Sequence, residues 1–370
     1  MAEQHLNIIA FNIPYPPDYG GVIDVYYKIK ALHAAGIKIH LHCFAYGRNV
    51  SPELEKYCES IHVYKRKNMF QGFLSDKPFI VSSRSSKLLK KNLLQNSYPI
   101  LFEGLHCCYY LDDKAFAGRK KIVRMHNDEA EYYLQLAKHE KRFSKKLYFY
   151  EEYKRLFKYE NILSKADHIV CIAKYEAEKY ENKFAHVSHL APFHGADVVH
   201  SLTGSGDFAL YHGNLTVNEN IQAVLFLISE VFSQLSHTLI IAGNNPAKEI
   251  VSEAAKYQNI RVQQNPSPSE LLLLSQQAQI HILPAFQQTG IKLKLLYALF
   301  NGRFCLANSM MTKDTGLEKY CSIADNVEEM KIAIEELFSK EFTAGDIVFR
   351  KNIEKEFSDT SEAEKLISLL

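Results

Sequence analysis

Residues 280–307 constrain the fold more than any other stretch. IHIL at 280–283 reads as a buried strand that stops at Pro284. A short polar loop follows, Gln287, Gln288, Thr289 and Gly290, and then residues 291–300 carry Leu293, Leu295, Leu296, Ala298, Leu299 and Phe300. That spacing fits a helix docked on a sheet. Asn301-Gly302 stops the helix, and residues 304–307 form the next strand. A strand–loop–helix–strand unit of this kind commits the chain to a parallel α/β sheet. Its helix start carries Gly290, Lys292 and Lys294, where open N–H groups, the dipole and the two lysines favour an anion. An ordinary crossover with solvated lysines has the same pattern.

The chain has 370 residues, enough for two domains of average size, and 47% of them are hydrophobic, so it is not a disordered chain. No apolar run is long enough to span a bilayer, and the N-terminal residues do not read as a secretory signal. The seven cysteines are scattered, without zinc-ligand spacing, and their odd number argues against a disulfide framework. These features read as a reducing, cytoplasmic protein. Charge is uneven: residues 1–190 hold 30 Lys and Arg against 21 Asp and Glu, and residues 191–370 hold 14 against 21. A basic first half is expected to face phosphates or the inner face of an anionic membrane, although a chance distribution over two solvated domains gives the same count.

The chain opens β–loop–α–β. LNIIAF at 6–11 is a strand, and NIPYPPDYGG at 12–21 is a stiff loop ending in Gly20-Gly21. Residues 22–35 read as an amphipathic helix and 37–44 as a second strand. Gly20-Gly21 lies just before that helix, where backbone can approach a phosphate, although no dinucleotide fingerprint is present. Polar residues then recur at strand ends: Glu103 to His106 after a strand at 100–102, and His126, Asn127, Asp128 and Glu129 after KIVRM at 121–125. Ligands of open α/β sheets bind at such ends. His106 and His126, the latter flanked by Arg124 and Glu129, are therefore site candidates.

Residues 84–93 read as a basic helix, and 129–164 as a long helical region crowded with aromatics and bases. The latter fits a membrane surface or a lipid-phosphate acceptor, or an ordinary solvated helix. Nucleic acid is not expected as a partner. Residues 194–207 have the composition of a hinge. The second half repeats the β/α alternation, beginning with FALYH at 208–212 and Gly213-Asn214.

TGIKLKLLYALFNGR at 289–303 resembles the donor-binding loop and helix of family 4 retaining glycosyltransferases of the GT-B fold, in the mannosyltransferase-like branch with a Gly-Ile-Lys-x-Lys loop. Gly290, Lys292, Lys294, Ala298 and Gly302 match. Thr289 and Tyr297 stand where the family usually carries two glutamates, for the donor sugar and the ribose. The proline-rich turn with Gly20-Gly21 and the RMHNDE run around His126 are also similar to family segments. Asn214 and Glu219 replace the usual Arg and Lys of the diphosphate site.

The resemblance implies an α/β protein of the GT-B fold, with two doubly wound Rossmann-like domains facing a cleft. Residues 1–193 would form the acceptor domain and 207–353 the donor domain, and a helix at 354–370 would pack back on the first. It implies sugar transfer from a UDP- or GDP-linked nucleotide sugar to a glycan or lipid-linked acceptor hydroxyl, with retention and without metal or cofactor. His126 and Glu129 would serve catalysis. Gly20, Gly21, Gly290, Lys292 and Lys294 would bind the donor phosphates. Thr289, Tyr297, Gly213 and Asn214 would face the sugar or nucleotide, and His106, Arg124 and Asn127 the acceptor. The rival reading is a non-catalytic GT-B relative that binds sugar phosphates or joins a complex. A nucleotide-sugar epimerase of the same fold is a third.

Overall fold

The computed structural model describes residues 3–68, 75–286 and 293–370. They form two compact units, residues 1–193 with 359–370, and residues 194–358.

The first unit is built on a seven-stranded sheet. Its strands are β1 (His5–Ala10), β2 (Lys38–Ala45), β3 (Ser60–Lys65), β4 (Ile100–Glu103), β5 (Lys121–Met125), β6 (His168–Cys171) and β7 (Val187–His189). Their order is β3-β2-β1-β4-β5-β6-β7, and every pair is parallel. Successive side chains of a strand point to opposite faces. Leu6, Ile8 and Ala10 accordingly pack with Val25, Ile29 and Leu32 of the Gly20–Ala34 helix, while Ile9 joins Phe102, Leu156 and Tyr180 in a second core. Covering both faces explains why the central strands read as nearly unbroken apolar runs. Ala363 and Leu366 of the Asp359–Ile367 helix fill the first of these cores.

The second unit repeats the plan with β8 (Phe208–His212), β9 (Thr238–Gly243), β10 (Ile260–Gln264), β11 (Ile280–Leu283), β12 (Phe304–Ala307) and β13 (Ser322–Ile323). Their order is β10-β9-β8-β11-β12-β13, again all parallel. In each sheet the strand order reverses at one point, between β1 and β4 and between β8 and β11. The crevice outside the carboxyl ends at such a reversal is where open α/β sheets bind ligands.

Several elements differ from their sequence-based expectation. The first long helix starts at Gly20, so the glycine pair belongs to its first turn. The region 129–164 divides into the Glu129–His139 and Phe143–Tyr159 helices and a 3-10 segment, Glu160–Lys165. The basic helix covers Lys87–Leu93, with Ser86 as its N-cap. The last helical region is two helices, Asn352–Phe357 and Asp359–Ile367, separated by extended Ser358.

Candidate functional site

At the β1/β4 reversal the polar strand ends converge. The Gly20–Ala34 helix starts there; Tyr19 provides no side-chain cap and the first turn contains no acid. Its first N–H groups thus keep the anion preference of an uncapped helix start. Gly21 is held close to Phe11, the residue just past β1: a Cβ on Gly21 would lie 2.7 Å from Phe11 Cζ. The Phe11 ring in turn sits 5.3 Å edge-on from the His126 ring and 5.6 Å from His106. Gly104, at φ +74°, passes beneath both imidazoles, where a Cβ would come within 3.0 Å of His106 Nδ1 and 3.8 Å of His126 Cδ2. Phe11 therefore links the glycine turn to both histidines.

A buried ionic network fixes His126. Glu103 Oε2 accepts from His126 Nε2 and from Lys28 Nζ, each at 2.8 Å, and Lys28 Nζ also donates to Asp24 Oδ2 at 2.9 Å. The Glu103 carboxylate so sets the imidazole's orientation and keeps the proton on Nε2. Arg124 grips Asp24 with two parallel bonds of 2.9 and 2.7 Å and donates to the Leu190 and Ala191 carbonyls. Burial would raise both carboxyls, but Arg124 and Lys28 hold Asp24 below its ordinary range, and Lys28 and His126 hold Glu103 below its own. Asp24, Glu103 and His126 also present ligand atoms within 4.8 Å of one another. The Lys28 ammonium already bridges the two carboxylates, so a cation there would have to displace it.

Beside this network, Glu129 opens the Glu129–His139 helix with Asp128 as N-cap. Burial, then the nearby Glu176 carboxylate, push Glu129 up to about 8, and burial pushes Glu176 up to about 7. At neutral pH Glu129 is thus a protonated acid, 3.6 Å from His106 Nε2, with a hydrogen bond from the Asn127 side chain. His106 is held well below its ordinary value by burial and by Arg84, and its buried Nδ1 has no partner among the described residues. This corner offers one proton donor and one open acceptor, both uncharged, a pairing suited to hydroxyl groups.

The structure thus brings Gly20, Gly21, His106, His126, Asn127 and Glu129 to one strand-end cluster. Arg124 differs from its expected acceptor-side role: its side chain is 0% exposed, and it anchors Asp24 and the 190–191 backbone instead. Sequence reasoning missed Phe11, Asp24 and Lys28, and placed Glu103 at a strand end without giving it a role. Asp24 and Lys28 did leave a signal, an i,i+4 charge pair on the same helix face as Val25, Ile29 and Leu32.

At the β8/β11 reversal, Lys294 Nζ donates to Asn220 Oδ1 at 2.6 Å and to the Tyr211 hydroxyl at 3.1 Å. Gly213 lies against Asn220, whose amide donates to the Asn214 carbonyl at 2.8 Å. The Asn214 side chain accepts from Thr216, which closes a local turn rather than leaving it to reach a ligand. The Tyr297 ring sits 5.1 Å from His212, which burial and the neighbouring His281 hold well below its ordinary value. Thr289, Gly290 and Lys292 lie outside the described residues.

A cavity of about 430 Å³ opens at the opposite, amino-terminal edge of the first sheet, lined by His40, His42, His62, Asn96 and Tyr98 among others. His42 is already engaged there by Tyr64 and Asn7, and His40 by Ser60.

No family profile matches the chain. A Klebsiella pneumoniae protein described as an "uncharacterized 44.6 kDa protein in cps region" is 28% identical over 374 residues, covering 94% of this chain and 91% of that one. A crystal structure of a glycosyltransferase from Rickettsia africae superposes with a TM-score of 0.68 at 12% identity, covering 100% of this chain and 98% of that one. A variant of S. aureus TarM, in complex with fondaparinux, alpha-GlcNAc-glycerol and UDP, superposes with a TM-score of 0.65 at 12% identity, covering 99% of each chain. These neighbours are GT-B glycosyltransferases, and the chain has the GT-B fold.

Proposed function

We propose that the chain is a glycosyltransferase of glycan or glycoconjugate synthesis. It moves a hexose from a UDP- or GDP-linked donor to an acceptor hydroxyl on a glycan or a lipid-linked carrier. The observation that carries this is the likeness over essentially the whole chain to GT-B glycosyltransferases, with a polar cluster at the strand-order reversal of each sheet. The Klebsiella relative from a cps region supports a role in polysaccharide synthesis.

In this reading the bond from the anomeric carbon to the diphosphate oxygen breaks while the acceptor oxygen bonds to that carbon on the same face. The acceptor proton passes to the departing diphosphate. Gly20, Gly21, Gly290 and Lys292 stabilise the charge that develops on the leaving group. His126, oriented by Glu103, and Glu129 position the sugar, while His106 and Asn127 face the acceptor. Tyr297 and Gly213 stand near the nucleotide. No step calls on a metal.

Melting curves against UDP, GDP, ADP, CMP and their common sugars test the reading, because a ligand that binds the native state raises its stability. A shift with one nucleotide, followed by transfer from its sugar, is expected. Lys292→Ala is expected to lose turnover with an unchanged melting temperature, and normal turnover in that variant would remove the phosphate assignment. The capture of Lys294 by Asn220 and Tyr211 favours the second reading, a non-catalytic GT-B relative. The absence of any shift or transfer would select it.

A further inference from the structure

The Phe143–Tyr159 helix has two unlike faces. Its inner face is settled: Leu156 is fully buried, Glu152 accepts the Ile80 N–H at 2.9 Å, and Phe149 packs on Tyr133. On the outer face Phe143, Leu147, Tyr150 and Phe157 are exposed by 81, 51, 43 and 59%. With Lys154 they recur at steps of four and three, which places all five on one line about 21 Å long. Single exposed apolar residues are ordinary, but a line of four large ones is not.

Charge identifies what covers this line. Residues 141–158 hold seven Lys and Arg against two Glu, and of these two Glu152 is turned inward. Lys146 and Lys158 are exposed on the flanks, and Lys154 sits on the line itself, 4.6 Å above the Tyr150 ring and 2.9 Å from Glu151 in an exposed pair. A second copy pairing antiparallel with Tyr150 at the crossing point would set Lys146 against Lys154, and a parallel one in register would set Lys154 against itself. Like charges so placed disfavour self-association. An anionic lipid surface meets both needs, since aromatic rings lodge at the headgroup level while lysines reach its phosphates.

We propose that the outer face of the Phe143–Tyr159 helix docks on an anionic membrane surface, lying in the plane of the headgroups. The proposal does not depend on the sugar-transfer reading. Co-sedimentation with vesicles of roughly two parts phosphatidylcholine to one part phosphatidylserine tests it. The whole chain is expected to pellet with these vesicles at low salt, to be released as salt rises, and to stay in solution with phosphatidylcholine alone. A double variant, Phe143→Ser with Phe157→Ser, is expected to bind about tenfold more weakly or worse. So is a triple variant, Lys146→Ser, Lys154→Ser and Lys158→Ser. Both sets of positions are exposed, so melting temperatures should stay close to the parent's. A chain that remains in solution with anionic vesicles at low salt overturns the proposal, as do variants that pellet like the parent. A dimer in sedimentation equilibrium that disappears in the double variant would also overturn it, because the face would then be a self-interface.

Discussion

Glu129 shows how burial tunes a single side chain. Its pKa of about 8 lies above the ordinary carboxyl value of 4.5, so the native chain holds this proton longer than the unfolded chain does. The stability contributed is complete at acid pH and is lost as pH rises from about 4.5 to about 8; Glu176, near 7, titrates within the same window. Glu129→Gln is therefore expected to flatten the fall in melting temperature between about pH 5 and pH 8. An unchanged slope would mean that Glu129 is ionised in the native state. Sequence alone marked Glu129 and His126 through their place after a strand. It gave no role to Glu103 or Phe11, because their roles depend on contacts between segments far apart in the chain: Glu103 meets Lys28, 75 residues away, and Phe11 meets His126.

Among the elements, the helix that ends at Asn301 was legible from both its apolar spacing and its stop. The stop has a steric cause beyond backbone freedom. A Cβ on Gly302 would lie 2.3 Å from the His281 ring of β11, so the helix turns back through a gap only glycine fits. Gly302→Ala is expected to cost about 1–3 kcal/mol in denaturant unfolding, from overpacking against that ring. Equal stability would show that the ring moves aside. The division of residues 129–164 was not legible, since no Gly or Pro marks it. The break arises where the Glu140 side chain accepts the Arg142 N–H at 2.9 Å, and both residues take extended backbone angles. Local bonds of this sort compete with the helix and leave no periodic trace. The central strands suffered least, because burial on both faces writes their apolar character into nearly every position.

Across the whole molecule, the basic surplus of residues 1–190 was legible by counting, and part of it now has a place on the Phe143–Tyr159 helix. The route of the chain was harder to see in composition: it leaves the first unit at residue 193 and returns at 359. A chain shortened after Ser358 is expected to lose protection from amide exchange in the strands of the first unit, since Ala363 and Leu366 no longer fill its core. Undiminished protection there would show that the returning helix is dispensable. The same route bears on how the protein is made. Domains generally fold in the order in which they leave the ribosome. Here residues 1–193 emerge with an apolar seam that only the last residues of the described chain close. The half translated first is thus finished last, and a nascent chain must keep that seam out of other hands until translation has passed residue 366.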